Sequence, residues 1–392
     1  MAINYFFFYA GFGVFLPFFS PYLASLGFSK AQIGLIYTSF SFFAVFAPLA
    51  GRLSDKRLGP ARTLKIFAVG LVVSLVAITF VLPKAGFAFL LGLWAYALLR
   101  APIGSLQDTI AMSIAGEQPR KYSHMRVVGS IGFAITSWFC GYFFDHFGIE
   151  RFFPALLIMS IPFLIFTLRL RDPEWIPETA LNKSFWQDLS PSWWWWLSAM
   201  VLHWFCFAPF HYGFTFLLSE QGVAKSWQGA VWSVGVFAEI LVFLFSGSLF
   251  KRWTYRQLLF VAFFANLFRW LILGFHPAPG LIWATQILHG LGFALFYTSA
   301  LQGIAKYHGG RYRASYQALF ATSIAFFSNI FGISLAGQLH QHLSMSQVYL
   351  CFVPVQVIAL WILKKNPLVT FAERSTQSRF HDSMVRPSEF IE

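Results

Sequence analysis

The chain has 392 residues, of which 57% are hydrophobic and only 11% are charged. Such a composition excludes an ordinary water-soluble globular domain, in which about a quarter of the residues are charged. The formal net charge of +13 would by itself suggest a nucleic-acid-binding protein. Most of the basic residues, however, lie in short segments between long apolar runs, and this distribution argues against nucleic acid.

Apolar runs of about 20 residues recur along the whole chain, and a helix of that length crosses the ~30 Å hydrocarbon core of a bilayer. We therefore predict an all-α integral membrane protein with twelve spanning helices. The runs are roughly 4–26, 32–51, 63–82, 87–114, 124–144, 152–170, 193–218, 227–250, 255–275, 280–305, 313–339 and 345–363. The first run has no preceding basic residue and no clear cleavage site, so we expect a retained helix rather than a signal peptide.

The basic residues are distributed unevenly between the two sides of the membrane. If the N-terminus is cytoplasmic, 21 of the 28 Lys and Arg residues fall in cytoplasmic connections and the C-terminal tail. Four fall on the opposite side: Lys30, Lys84, Arg151 and Lys225. This positive-inside bias predicts a bacterial inner-membrane protein with both termini in the cytoplasm.

Cysteine spacing and short motifs give no sign of catalytic chemistry. Cys140, Cys206 and Cys351 lie within apolar runs at spacings that match no metal site, which indicates buried free thiols. The glycines of GLGFAL at 290–295 are better explained by helix packing than by a nucleotide loop. We expect no cofactor, no metal and no enzyme activity.

The connection 171–191 is the longest polar stretch between predicted helices, and it divides the chain into six helices plus six. We predict an N-terminal bundle over 1–170, a cytoplasmic linker over 171–191, a C-terminal bundle over 192–364 and a polar tail over 365–392. At an offset near 195, KAQIGLIYTSF from Lys30 resembles KSWQGAVWSVG from Lys225, and GYFFDHFG at 141–148 resembles GQLHQHLS at 337–344. Duplicated halves predict a solute site between them that opens alternately to each side.

Few ionisable residues lie inside the predicted helices, and each is a functional candidate because hydrocarbon tolerates a charge only when it is paired or faces a cavity. They are Arg100, Asp108, Arg126, Glu239, Arg269, His203, His211 and His289. His203 and His211 lie among Trp and Phe residues, so hydrogen-bonded packing is an alternative role for both. Arg126 lies only ~6 Å into its helix and is equally compatible with an interface anchor.

Glu239, Arg269 and His289 form the most specific group among these residues. At 1.5 Å per residue, their depths in three helices differ by only ~8 Å, so the three side chains can share one polar pocket. A structural ion pair between Glu239 and Arg269 is the alternative, but a buried pair is a costly source of stability. A functional role is therefore the better interpretation.

The segment GRLSDKRLGPAR at 51–62 resembles the loop between the second and third helices of the major facilitator superfamily. Its pattern is matched, with one extra residue, by Gly51, Asp55, Lys56, Gly59 and Arg62. RAPIG at 100–104 resembles the fourth-helix signature of that superfamily. FLPFFSPYL, YSHMRVVGSIGF, WSVGVFAE, RWLILG and LQGIAKY resemble its 3-phenylpropionate permease branch, which is related to lactose permeases and nucleoside:proton symporters. The resemblance implies a secondary transporter of two pseudo-symmetric six-helix bundles, in which the 51–62 loop acts as a gate.

The resemblance also implies roles for the charged residues within the membrane. Lactose permeases have a Glu, an Arg and a His at the positions of Glu239, Arg269 and His289, which implies a proton-coupling site. The acid that those permeases carry three residues after the His is replaced by Gly292, which leaves Glu239 as the main candidate proton carrier.

The solute site implied by the resemblance lies partly in the N-terminal half. Asp108 and Arg126 match the acid and the Arg with which lactose permeases hold sugar, at the same separation of eighteen residues. The sugar-stacking Trp of those permeases is Phe133 here, which counts against a sugar. The complete set of predicted solute-binding residues is Asp108, Arg126, Phe133, Arg100 and Arg269.

We expect a proton-coupled symporter of a small organic solute, with an aromatic or other small carboxylic acid as first choice, acting as a monomer. A solute carboxylate that pairs with Arg269 or Arg126 would weaken the effect of that cation on Glu239 and favour protonation of Glu239, so proton and anion would bind cooperatively. The alternatives are a nucleoside or oligosaccharide symporter and a proton-antiport exporter of a drug or metabolite. A sodium ion is also compatible with the same carboxylate.

Overall fold

The computed structural model describes residues 1–44, 46–82, 86–115, 119–171, 189–307 and 313–365. All regular secondary structure in this part of the chain is helical, which confirms the predicted all-α class. Helices suit a bilayer because each one satisfies its own backbone hydrogen-bonding groups where no water is available. The predicted linker 171–191 lies mostly outside the described residues, and so does the predicted tail 365–392.

The N-terminal half contains six spans, α1 to α6. They are α1 Ala2–Ser25, α2 Lys30–Ala44 continued by Ala47–Leu53, α3 Pro60–Val81, α4 Gly86–Ala115, α5 Pro119–Phe147 and α6 Ile149–Leu168. Eleven helices among the described residues are long and apolar enough to cross a membrane. The twelfth predicted span is α2, whose two parts flank residue 45, which lies outside the described residues.

The C-terminal half contains the spans α7 to α12. They are α7 Pro191–Glu220, α8 Lys225–Arg252, α9 Tyr255–Gly274, α10 Pro279–Gly290 with Leu291–Leu295 and Phe296–Tyr307, α11 Arg313–Phe327 with Ser328–Gly332 and Ile333–His340, and α12 Met345–Lys365. The predicted run 255–275 shows how closely the bounds agree, since α9 ends one residue earlier.

Several spans are irregular near their centres. The α4 helix is interrupted at Ala101 and Pro102, because a proline supplies no backbone N–H and its ring clashes with the preceding turn. The α7 helix is interrupted at Cys206 and Phe207, and α10 contains a π-helical turn over Leu291–Leu295. Such turns are frequent at functional sites, and these lie close in sequence to the candidate residues of the same helices.

The two halves are joined at one end, which we call the distal end and which carries the turns 26–29, 221–224 and 341–344. There the Ser20 hydroxyl donates to the carbonyl oxygen of Tyr212 over 2.6 Å, and the Ser233 hydroxyl donates to that of Ala134 over 2.7 Å. One hydrophobic core contains side chains of both halves, among them Phe18. The distal end is therefore closed.

Two glycine contacts bring the backbones of the two halves together at the distal end. A Cβ atom on Gly34 would lie 3.0 Å from the Cα of Gly337, and one on Gly141 would lie 3.0 Å from the backbone N of Gly229. Gly34 and Gly229 occupy equivalent places in one of the repeated segments, and Gly141 and Gly337 begin the other. The two contacts are thus copies of one contact, which agrees with two pseudo-symmetric bundles.

The opposite end, which we call the terminal end, carries the start of α1 and the end of α12. Here the cores of the two halves are separate among the described residues. Trp193 and Tyr316 belong to a cluster formed only by the C-terminal half, and Tyr5 and Met125 belong to one formed only by the N-terminal half. From these separate cores we infer a cleft between the halves that opens toward the terminal end.

The predicted gate lies at the terminal end, between α2 and α3. Gly59 has φ of 76°, a left-handed conformation that favours glycine, and Pro60 begins α3 directly after it. The side chains of Asp55 and Lys56 lie outside the described part of the chain. The other two gate residues lie in helices: Gly51 and Arg62.

The cysteine prediction was correct for two residues and wrong for the third. Cys140 and Cys206 are buried free thiols, but Cys351 is exposed. The position of Cys351 in an apolar run places it within the membrane. A spanning helix also has a face turned toward lipid, however, and apolarity alone does not distinguish that face from the core.

Candidate functional site

Three of the predicted residues form a hydrogen-bonded chain that links α9, α10 and α8. The Arg269 Nη1 atom lies 3.0 Å from His289 Nδ1, and His289 Nε2 lies 2.8 Å from Glu239 Oε1. A guanidinium group only donates, so Nδ1 of His289 accepts and Nε2 carries the hydrogen that is donated to Glu239. A neutral imidazole thus stands between a cation and a carboxylate.

The arrangement differs from the direct Glu239–Arg269 ion pair that was the structural alternative. Within the described residues, the carboxylate of Glu239 pairs with His289. Arg269 is fully buried; its Nη2 donates to Gln286 Oε1 over 3.3 Å, and its Nε has no hydrogen-bond partner in the described part of the chain. The guanidinium lies 4.3 Å from the centre of the Phe210 ring. An imidazole, an amide and an aromatic face therefore hold this cation without a carboxylate in direct contact.

A glycine allows the helices of this site to approach each other. Gly235 lies one turn before Glu239 on α8, and a Cβ atom there would lie 3.0 Å from both Gln286 Oε1 and His289 Cδ2. The side chain of Glu239 is 15% exposed, and the charge of Arg126 in the other half acts on it. The site therefore borders the cleft, and its carboxylate interacts electrostatically with arginines of both halves.

Asp108 and Arg126 form the second charged group, on the N-terminal side of the cleft. Arg126 Nη1 lies 3.5 Å from Asp108 Oδ1 and also donates to the hydroxyl of Tyr9. The Tyr5 hydroxyl donates to Asp108 Oδ1 over 2.5 Å. The side chain of Arg126 is 43% exposed and that of Asp108 is 31% exposed, although both lie within the spanning part of the chain. The group therefore presents a cation, a carboxylate and two tyrosine side chains together.

The other two predicted solute-binding residues lie elsewhere in the N-terminal half. Phe133 is 7% exposed and belongs to the hydrophobic core. Arg100 lies over the rings of Phe12 and Phe15, at 4.7 and 5.0 Å from their centres, and lines a small cavity inside the bundle with Ser160. The contacts thus group Asp108 with Arg126 and place Phe133 and Arg100 in the interior of the N-terminal bundle.

The two remaining histidines have different surroundings. His203 is fully buried, accepts a hydrogen bond from Gln356 at 3.0 Å and stacks on Phe263, as expected of a packing residue. His211 is partly exposed and touches the rings of Trp204 and Phe207. The charge of Arg269 acts on His211, so this imidazole belongs to the surroundings of the charged chain.

Several residues of the site were not predicted from the sequence. Tyr5 and Tyr9 hold the Asp108–Arg126 pair, and Phe210 and Gln286 hold Arg269. Gln286 could have been predicted, because it precedes His289 by three residues and therefore lies on the same face of the helix. The tyrosines and Phe210 had none, since the chain contains 50 Phe and 14 Tyr residues.

The model of the MFS_1 like family matches residues 1–351. The chain belongs to the MFS_1 like family. As a member of this family it is a multi-pass membrane transporter of a small-molecule solute and not an enzyme. The predicted resemblance to the major facilitator superfamily is thereby confirmed.

Relatives of this MFS_1 like chain match over nearly their full lengths. A probable 3-phenylpropionic acid transporter of Escherichia coli (strain K12) is 28% identical over 359 residues, which cover 88% of this chain and 91% of the relative. The maltose permease of Geobacillus stearothermophilus is 24% identical, with 92% of each chain covered. The crystal structure of the nucleoside transporter NupG superposes with a TM-score of 0.75 at 21% identity, covering 93% of this chain and 97% of that one. The first relative confirms the predicted permease branch, and the third confirms the fold.

Proposed function

We propose that the protein is a proton-coupled symporter whose preferred solute is an aromatic or other small carboxylic acid. The observation that carries this proposal is Arg269, a fully buried cation that no carboxylate contacts directly among the described residues. A solute carboxylate at the cleft would supply the missing opposite charge, because a buried charge is stable only when paired. The aromatic rings of Phe210 and Trp270, whose centres lie 4.3 and 4.9 Å from this guanidinium, suit an aromatic solute.

Coupling between solute and proton follows from the order of Arg269, His289 and Glu239 in the hydrogen-bonded chain. Glu239 is held by the hydrogen of His289 and by the positive charges of Arg269 and Arg126. A solute anion that pairs with either arginine weakens the attraction of that arginine for the Glu239 carboxylate, and Glu239 then accepts a proton more readily. Because linkage is reciprocal, the proton also favours the anion. Solute and proton therefore bind together, and the carrier returns after both have left.

A neutral solute such as a nucleoside or an oligosaccharide is the second candidate. The observation in its favour is the Asp108–Arg126 pair, which balances its own charge and adds the hydroxyls of Tyr5 and Tyr9. The name of one relative, a maltose permease, and that of the structural neighbour NupG agree with this class. Export by proton antiport would use the same carboxylate, that of Glu239.

We further propose that the protein is a monomer in a bacterial inner membrane with both termini in the cytoplasm.

Transport by the Glu239→Gln variant in reconstituted vesicles tests the coupling. Glutamine has the size of a protonated glutamate and does not titrate, so counterflow of labelled solute should persist while accumulation driven by a proton gradient fails. Glu150→Gln is the matched control, because Glu150 is an exposed acid outside the charged chain. Full accumulation by Glu239→Gln would exclude Glu239 as the obligatory carrier. Loss of counterflow as well would assign Glu239 a structural role, since the charge of the carboxylate that His289 contacts would then be needed to hold the buried chain together.

The solute class is tested separately with the wild-type protein. Energised vesicles are offered labelled aromatic carboxylates, aliphatic carboxylates, nucleosides and maltose, with and without an uncoupler. We expect uncoupler-sensitive uptake of an aromatic carboxylate. Uptake of a nucleoside or of maltose alone would favour the neutral-solute candidate, and expulsion of a preloaded solute would favour the exporter.

A further inference from the structure

A second group of titratable residues lies at the distal end, away from Glu239. His340 Nε2 lies 3.0 Å from Glu220 Oε1, and the other carboxylate oxygen of Glu220 accepts the backbone N–H of Met345 over 2.8 Å. His340 Nδ1 lies 3.1 Å from the Tyr212 hydroxyl, which is also 3.0 Å from the carbonyl oxygen of Lys30. His340 is 1% exposed and Tyr212 is 1% exposed. The Tyr212–Lys30 contact joins the two halves of the transporter.

The number of hydrogens in this network follows from its donors and acceptors. The Lys30 carbonyl only accepts, so the single hydroxyl hydrogen of Tyr212 must point to it. His340 Nδ1 must then carry a hydrogen and donate to the Tyr212 oxygen. The contact between His340 Nε2 and Glu220 Oε1 needs one more hydrogen, on either atom. The complete network therefore holds one proton more than a neutral imidazole beside a carboxylate.

Removal of that proton leaves one hydrogen bond unmade. If His340 keeps its hydrogen on Nε2, then Nδ1 accepts from Tyr212, and the bond from Tyr212 to Lys30 across the halves is lost. If the hydrogen stays on Nδ1, the lone pair of Nε2 faces the lone pairs of Glu220. Either outcome weakens a buried network, and an unmade bond at a buried group is expensive.

We propose that Glu220 and His340 form a proton-binding site whose occupancy stabilises the closed distal end. When the halves separate there, Tyr212 loses its partner in the other half, and the extra proton no longer supports a contact between them. The closed end thus binds this proton more tightly than the open end, and by linkage the proton favours closure. The site depends neither on the identity of the solute nor on Glu239.

The charged and titratable neighbours of this site come from three surrounding helices. From α2, the charge of Lys30 acts on both Glu220 and His340, and Tyr37 acts on Tyr212. From α12, Tyr349 interacts with Glu220. From α7 come Glu220 and Tyr212 themselves. Lys30 is the fixed cation of this set; it repels an imidazolium and attracts the carboxylate, and both effects make the pair release its proton more readily.

The distance between α2 and α11 at the distal end provides the test. Spin labels are placed at Leu35 and Leu335, which are 50% and 43% exposed, in a protein whose exposed Cys351 is replaced by serine. The protein is studied in lipid nanodiscs without solute, over the range of about pH 5 to 8 in which histidine changes charge. We expect the short distance to predominate in acid and the ratio of closed to open molecules to fall about tenfold as the pH rises. A ratio that does not change with pH overturns the proposal.

Two variants and two controls show whether the shift comes from this site. His340→Gln does not titrate and should give a ratio of closed to open molecules that is independent of pH. Tyr212→Phe keeps the ring but removes the hydroxyl, so the ratio should change less with pH than in the wild-type protein. His342→Gln is the matched control, since this exposed histidine lies two residues further along the chain. Glu150→Gln, at an exposed acid outside both charged groups, should also keep the response. An unchanged response in His340→Gln or in Tyr212→Phe overturns the assignment.

Discussion

A methyl group added at Gly34 should favour separation of the halves at the distal end. The Cβ of Gly34→Ala would lie 3.0 Å from the Cα of Gly337 and 3.1 Å from the carbonyl oxygen of Ile333. Carbon atoms pack best at about 3.5–4.0 Å, and both neighbours are backbone atoms that cannot rotate away. The helices α2 and α11 must therefore move apart. Because this contact exists only when the distal end is closed, the cost falls on the closed conformation alone.

The magnitude follows from the cost of overpacking. An extra methylene in a well-packed site costs about 1–3 kcal/mol, which lowers the ratio of closed to open molecules by roughly five- to 150-fold. Alanine also stabilises a helix interior by about 1 kcal/mol relative to glycine. That gain applies equally to both conformations, so it raises overall stability without changing the ratio.

The assay is the distance between labels at Leu35 and Leu335, measured at one acidic pH. Gly247→Ala in α8 is the matched control, because nothing beyond its own turn of helix lies within 4 Å of the added Cβ and Gly247 also lies within a helix. Gly141→Ala, at the equivalent contact with Gly229, should shift the ratio in the same direction. A wild-type ratio in both Gly34→Ala and Gly141→Ala would refute the inference that the backbone contacts limit closure.

Three further outcomes are expected. Arg126→Gln should weaken equilibrium binding of the solute by about ten- to a hundredfold, since a charge-assisted hydrogen bond contributes about 1.5–3 kcal/mol; wild-type affinity would identify Arg126 as an interface anchor. Asp55→Asn should slow transport while leaving affinity within a few fold, and an affinity loss as large as that of Arg269→Ala would contradict its role in a gate. Reporter fusions should be periplasmic at Lys30 and cytoplasmic at Arg62, and the reverse pattern would disprove the topology.

The spanning helices could be predicted because a run of about 20 apolar residues has few other structural interpretations. The interruptions within these helices were harder to predict from the sequence. Pro102 marks the break in α4, and Pro209, in the first turn after Phe207, marks the break at Cys206 in α7, but no proline marks the π-helical turn that begins at Leu291. Such features depend on the packing of neighbouring helices, which a single sequence does not specify.

The charged residues of the site could be predicted because charges are rare in hydrocarbon. Their connections could not. Depth along a helix does not specify rotation about its axis, so Glu239, Arg269 and His289 could be assigned to one pocket without the order in which they bond. The position of His289 between the other two follows only from the packing of α8 against α10, where Gly235 permits close approach.

The glycine contacts at the distal end exchange partners as residues do across a twofold axis: Gly34 meets Gly337, and Gly229 meets Gly141. A closed end of this kind is an isologous interface, like that of a symmetric homodimer, carried within one chain. In the repeated segments, however, Phe144 stands where His340 stands, so the titratable network occupies one of the two equivalent edges. The two edges of this interface are therefore alike in their glycine contacts but not in their chemistry, and a change of pH acts directly on only one of them.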